Sequence, residues 1–183
     1  MSSPSQVIVL AEDVRHQQFA RRFLFRMGYK NHHIRNRDLP SGRGSGEQWV
    51  REHYAEEVAA CRQRNTRAKT ALLIVIDADT RDVQNRMTAL STALNAAGHA
   101  PRENDEPIAH FIPKRNIETW ILCLAAGGVD EAHDYKARAI TSIEIRSAAE
   151  QLFLLRGGTN VGETPLIPSL EVARREARRI PTL

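Results

Sequence analysis

Two aspartates one residue apart, Asp77 and Asp79, stand directly after six consecutive apolar residues, Ala71 to Ile76. If that run is a strand, both carboxylates arrive where the strand gives way to a loop, and both can lean toward one point. Two acids that close repel unless a positive charge lies between them. A hard divalent cation such as Mg2+, or Mn2+, is the natural occupant, because it takes oxygen ligands and keeps waters for a phosphate substrate. The other reading is that one aspartate caps the following helix and the other is solvated. Glu12 repeats the arrangement, since it closes the apolar run Gln6 to Ala11, QVIVLA. Glu118 opens an apolar helix after a further short strand, with Asn116 as a plausible N-cap. From position alone, Glu118 serves equally well as a ligand or as a complement to the helix N-terminus.

The elements that must position these acids follow from the apolar pattern. The run TALLIVIDADT, Thr70 to Thr80, has no polar alternation before its aspartates, so it needs cover on both faces. That is the situation of a central strand in a parallel α/β sheet. Ligands in such sheets sit at the carboxyl ends of the strands. Helices are predicted over 13–28, 47–64 and 83–97, the first with Val14, Phe19, Phe23, Leu24 and Met27 near a 3.6-residue period and a stop at Gly28. A weaker extended stretch, His32 to Leu39, reads as an edge strand interrupted by Arg35 and Arg37. Ile108 to Ile112 reads as the fourth strand, parallel to the third across one helix. Helices near 140–155 and 168–179, joined by the linker GGTNVGETP, are expected to pack on the sheet. The fold class is therefore α/β, with a mainly parallel four-stranded sheet flanked by helices. One domain over 1–183 is expected, with a core over 6–125 and a helical extension over 126–183.

Composition narrows the function classes. The chain has 183 residues, 42% hydrophobic and 26% charged, without an apolar run of membrane-spanning length. The start MSSPSQ lacks the basic and hydrophobic regions of a secretion signal, and two cysteines, Cys61 and Cys123, cannot build a zinc cluster. A cytoplasmic protein without a membrane partner is expected. The 26 basic residues against 22 acidic ones give a formal charge of +4, mildly favourable for a polyanion. The loop SGRGSG, Ser41 to Gly46, offers backbone N–H groups and Arg43 to an anion, although a plain turn explains it as well.

The order of strand with Glu12, helix, weak strand, helix, strand with Asp77-Ala78-Asp79, helix, strand, helix with Glu118 resembles the Toprim domain over about residues 6 to 125. The nearest variety looks like the Toprim region of the overcoming-lysogenisation-defect nucleases and of small stand-alone Toprim-like defence proteins. In that group a polar-x-acid pair and a lysine complete the site; Asn116-Ile117-Glu118 fits the pair loosely, and Lys136 in DYK is the candidate lysine. Two departures stand out. Asp13 occupies the usual glycine position after the first glutamate, and His16 replaces a second acid one turn later; it could hold a water or bind a metal, although an exposed helix histidine is expected.

The resemblance implies a Mg2+- or Mn2+-dependent endonuclease acting on DNA or RNA, transfer RNA included. Asp77, Asp79 and Glu118 would hold one metal, and Glu12 a second metal or the attacking water, with two ions about 4 Å apart flanking the displaced oxygens. Lys136, with Lys114 or Arg115, would neutralise charge on the scissile phosphate. Because the acids are themselves negative, basic groups must ring them, and Arg15, Arg43, Lys114, Arg115 and Lys136 stand near the strand ends; Arg174 to Arg179 lie beyond the core. The resemblance also implies a toxic effector of antiphage defence, with an ATPase partner and a homodimer as further partners. The alternative is a partner-silenced or inert regulatory subunit of an ATPase-containing complex. A third reading, phosphate-ester hydrolysis on small molecules by Asp77 and Asp79, leaves Glu12 without a role.

Overall fold

The apolar runs form the strands that the pattern predicts, and they assemble into one parallel sheet. In this computed structural model the described residues are 4–39, 45–79, 81–158 and 166–183. Strands β1 (Gln6–Ala11), β2 (Ile34–Asn36), β3 (Thr70–Val75) and β4 (Ile108–Phe111) lie in the order β2-β1-β3-β4, all parallel. Ala11 lies beside Val75, so β1 and β3 end level with one another.

Side-chain alternation splits the core into two layers. Val7, Val9, Ala11, Leu73, Val75 and Phe111 face helices α1 (Val14–Arg26), α4 (Ile117–Ala126) and α5 (Ser142–Arg156). Ile8, Leu10, Leu72, Ile74 and Ile76 face α2 (Gly46–Asn65) and α3 (Val83–Ala96). Both faces of β3 are thereby covered, which is why its sequence carries no polar alternation. Helix α6 (Pro168–Glu176) and the 3-10 turn Ala177–Arg179 lie along the outer side of β4. There the Glu176 carboxylate accepts the His110 backbone N–H at 2.9 Å, and the Arg102 guanidinium donates to the Ile108 carbonyl at 2.8 Å. A side-chain donor and acceptor thus stand in for a fifth strand and close the edge.

Three details differ from the sequence reading. The edge strand is three residues long and follows a 3-10 turn at Asn31–His33, because Arg35 and Asn36 are exposed and only Ile34 is buried. Val14 is 56% exposed rather than part of the inner face of α1. Helix α3 is capped by Asp82, whose carboxylate accepts the Asn85 N–H at 2.6 Å, so neither Asp77 nor Asp79 serves as that cap. Asn116 does cap α4, as expected, accepting the Thr119 N–H at 3.2 Å. No helix among the described residues is long and apolar enough to cross a membrane.

Candidate metal centre at the carboxyl ends of β1 and β3

Because β1 and β3 end level, the residues that follow them meet. The Glu12 backbone N–H still donates to the Val75 carbonyl at 3.2 Å, and the Glu12 carboxylate turns back to accept the Asp77 N–H at 2.9 Å. Parity puts Asp77 on the α1 side of the sheet. There α1 begins at its cap Asp13, and His16, one turn in, points back over the sheet. His16 Nε2 lies 2.8 Å from Asp77 Oδ1, and His16 Nδ1 lies 2.8 Å from Asp13 Oδ1. At 1% exposure His16 is fully inside, which corrects the expectation of an exposed histidine. One donor atom each from Glu12, His16 and Asp77 lies within 4.8 Å of the others, a spacing that a single divalent ion could bridge.

The electrostatics of the cluster follow from burial and crowding. Burial, then the charge of Asp77, pushes the Glu12 carboxyl up to about 7. Burial opposes protonation of His16, but the carboxylates of Asp77 and Asp13 outweigh it and carry the imidazole well above its ordinary range. Burial likewise opposes ionisation of Asp13, and its hydrogen bonds and charge attraction to His16 outweigh that, holding the carboxyl below its usual value. A protonated His16 is thus the positive charge among these acids, and a cation bound there would displace its Nε2 proton.

The remaining predicted residues fall around this centre in different states. Asp79 sits at φ 56°, a left-handed conformation that aspartate tolerates better than most residues, with its side chain 49% exposed. Its carboxyl is raised by burial and by Asp77, against the opposing charges of Arg86 and Lys136. Asp79 and Glu118 are not members of the three-residue group. Glu118 is buried in the first turn of α4 and forms an ion pair with Arg15. Lys136 is tied to the start of α4 through Asp134, whose Oδ1 accepts the Lys136 N–H at 2.8 Å and the Asn116 side-chain amide at 2.6 Å. Arg115 spends its guanidinium on the Glu131 and Ala132 carbonyls, at 3.4 and 2.8 Å, stapling the same loop. Lys114 lines a groove of about 510 Å³ with Asp82, Glu131 and Arg175, between α3 and α6. Arg43 lies outside the described residues.

Arg86, which no motif in the sequence singles out, and Gly46, the last glycine of the SGRGSG loop, also shape the centre. Arg86, 2% exposed on α3, pairs with Glu47 of α2 and lies 3.4 Å from Asp79. Gly46, the first residue of α2, lies so close to Glu12 that a β-carbon there would sit 2.3 Å from the Glu12 carbonyl oxygen. Only glycine allows α2 to seat on the end of β1.

Comparison with protein-family models, with curated proteins and with solved structures finds no match for this chain. The fold is of the parallel α/β class.

Proposed function

We propose that this chain is a divalent-metal-dependent phosphodiesterase of nucleic acids built on a Toprim-like core. The observation that carries the reading is the convergence of Glu12, His16 and Asp77 at the carboxyl ends of two adjacent central strands. The donor set suits a cation. Two carboxylates and an imidazole meet in a buried position, and Glu12 is driven to about 7 by burial and its neighbour Asp77, the mark of a place short of positive charge. A bound divalent ion supplies Lewis acidity toward a phosphoryl oxygen and a more acidic water.

The chain's own groups then divide the work. Glu12 and Asp77 would hold the ion, with His16 beside them. Asp79, on the open side, would orient water or a second ion. Lys136, close enough to act on Asp79, would meet the negative charge of the scissile phosphate. Glu118 would contribute by holding Arg15 at the rim rather than by ligating. The setting that the resemblance implies, a toxic effector of antiphage defence, belongs to the same proposal.

One observation favours the second reading, a subunit silenced until a partner releases it. Glu118 is held by Arg15 and Asp79 faces Arg86, so two of the four predicted acids are engaged by arginines. Both readings meet the same experiment. Wild type and Asp77→Ala are incubated with plasmid, single-stranded DNA and transfer RNA in Mn2+. Cleavage by wild type alone is expected, and equal residual cutting by the two proteins overturns the proposal.

A further inference from the structure

The third member of the cluster is an imidazole, and its surroundings fix how it can act. His16 Nδ1 is committed to Asp13 Oδ1 at 2.8 Å, which leaves Nε2 facing Asp77 Oδ1 at the same distance. Asp13 is itself locked, because the same oxygen caps α1 by accepting the His16 backbone N–H at 2.9 Å. A carboxylate that holds one ring nitrogen and aims the other at a site is the arrangement that orients histidine ligands in metalloproteins. Imidazole nitrogen suits first-row transition ions, whereas Mg2+ prefers an all-oxygen octahedral shell. We propose that His16 Nε2, oriented by Asp13, is a metal ligand alongside Glu12 and Asp77, and that it makes this centre select a transition ion such as Mn2+ over Mg2+. The inference rests on the metal centre of the preceding reading and adds the identity of its occupant.

The ring is enclosed by β1, β3 and α1, and its hydrogen-bonding partners are Asp13 and Asp77, with Glu12 acting on the same centre. Phenylalanine or leucine would fill the space but would leave the buried Asp77 carboxylate without its imidazole partner. An acid in its place would complete an all-oxygen set, and the selectivity would then move toward Mg2+.

The test is metal binding by the full chain, read without any substrate. Titration calorimetry with MnCl2 and MgCl2 is run on wild type, His16→Asp and Asp77→Asn, and electron spin-echo envelope modulation is recorded on the Mn2+ forms. Wild type is expected to bind Mn2+ at least about ten-fold more tightly than Mg2+ and to show coupling of Mn2+ to a 14N nucleus. His16→Asp should lose that coupling and bring the two affinities within about three-fold of each other. The spin-echo signal of wild type decides the ligand even if the variant fails to fold. Asp77-dependent Mn2+ binding without 14N coupling, or an unchanged preference in folded His16→Asp, overturns the inference and leaves the metal centre standing. Binding unaffected by Asp77→Asn, or no binding in wild type, overturns both.

Discussion

Buried imidazoles are pulled in opposite directions in this chain, according to what faces them. His16 meets two carboxylates and is carried above its ordinary range. His110, 4% exposed on β4, meets the Tyr54 hydroxyl at 3.0 Å from Nε2, while burial, Arg102 and Arg179 push it well below the ordinary value. Glu176, the one acid against it, pairs with both Arg102 and Arg179 and takes the His110 backbone N–H. The unfolded chain therefore takes up a proton below about pH 6.5 that the folded chain refuses, so stability falls as the pH falls through that value. Glu12, raised to about 7, contributes the opposite slope in both proteins, so the test is the difference: in urea unfolding from pH 6.5 to 5, wild type should lose up to about 1.4 kcal/mol per pH unit more than His110→Gln. An equal slope in the variant would place the titration elsewhere.

At the scale of elements, the site depends on how closely α2 approaches β1. The β-carbon of Gly46→Ala would meet Glu12 Cγ at 2.7 Å as well as the carbonyl oxygen, so α2 must retreat or Glu12 must turn. A loss of about 1–3 kcal/mol in urea unfolding is expected, with Mn2+ affinity falling about ten-fold. A variant matching wild type in both would show that α2 does not rest on Glu12. Much of this level was legible in the sequence, since the strands announce themselves by uninterrupted apolar runs that end in acids. β2 was legible only as a weak stretch, because three residues with two exposed carry little pattern. The burial of His16 was legible in its spacing, against the expectation of exposure: it stands three, four and seven residues before Phe19, Ala20 and Phe23, all buried. Val14, which looked like part of that face, falls off it. Glu118 and Arg15 could not be paired from sequence, because 103 residues separate them and only the sheet brings their helices together.

For the whole molecule, the distribution of arginines matters more than the formal +4. The late cluster is spent on structure. Arg174 pairs with Glu171, Arg178 donates to the Arg156 carbonyl, and Arg179 donates to the carbonyls of Glu103 and Asn104. Arg178 and Arg179 fasten the 3-10 turn to the end of α5 and to the loop before β4, whereas the Arg174 pair lies within α6. The basic groups beside the predicted acids are instead Lys136 and Arg86, which act on Asp79, and Arg15, which pairs with Glu118. A substrate phosphate would thus approach over Asp79 and Lys136, on the open side of a buried ion. The central claim is that Glu12, His16 and Asp77 hold that ion and that cleavage depends on it. The direct measurement is the single-turnover cleavage rate of single-stranded DNA and transfer RNA against Mn2+ concentration, for wild type and for Glu12→Gln with its fold checked by circular dichroism. Wild type should cut with a rate that saturates at the Mn2+ affinity measured by calorimetry, and Glu12→Gln should be slower by about 100-fold or more at every concentration. Cleavage that persists in a chelator, or a folded Glu12→Gln as fast as wild type, would contradict the account.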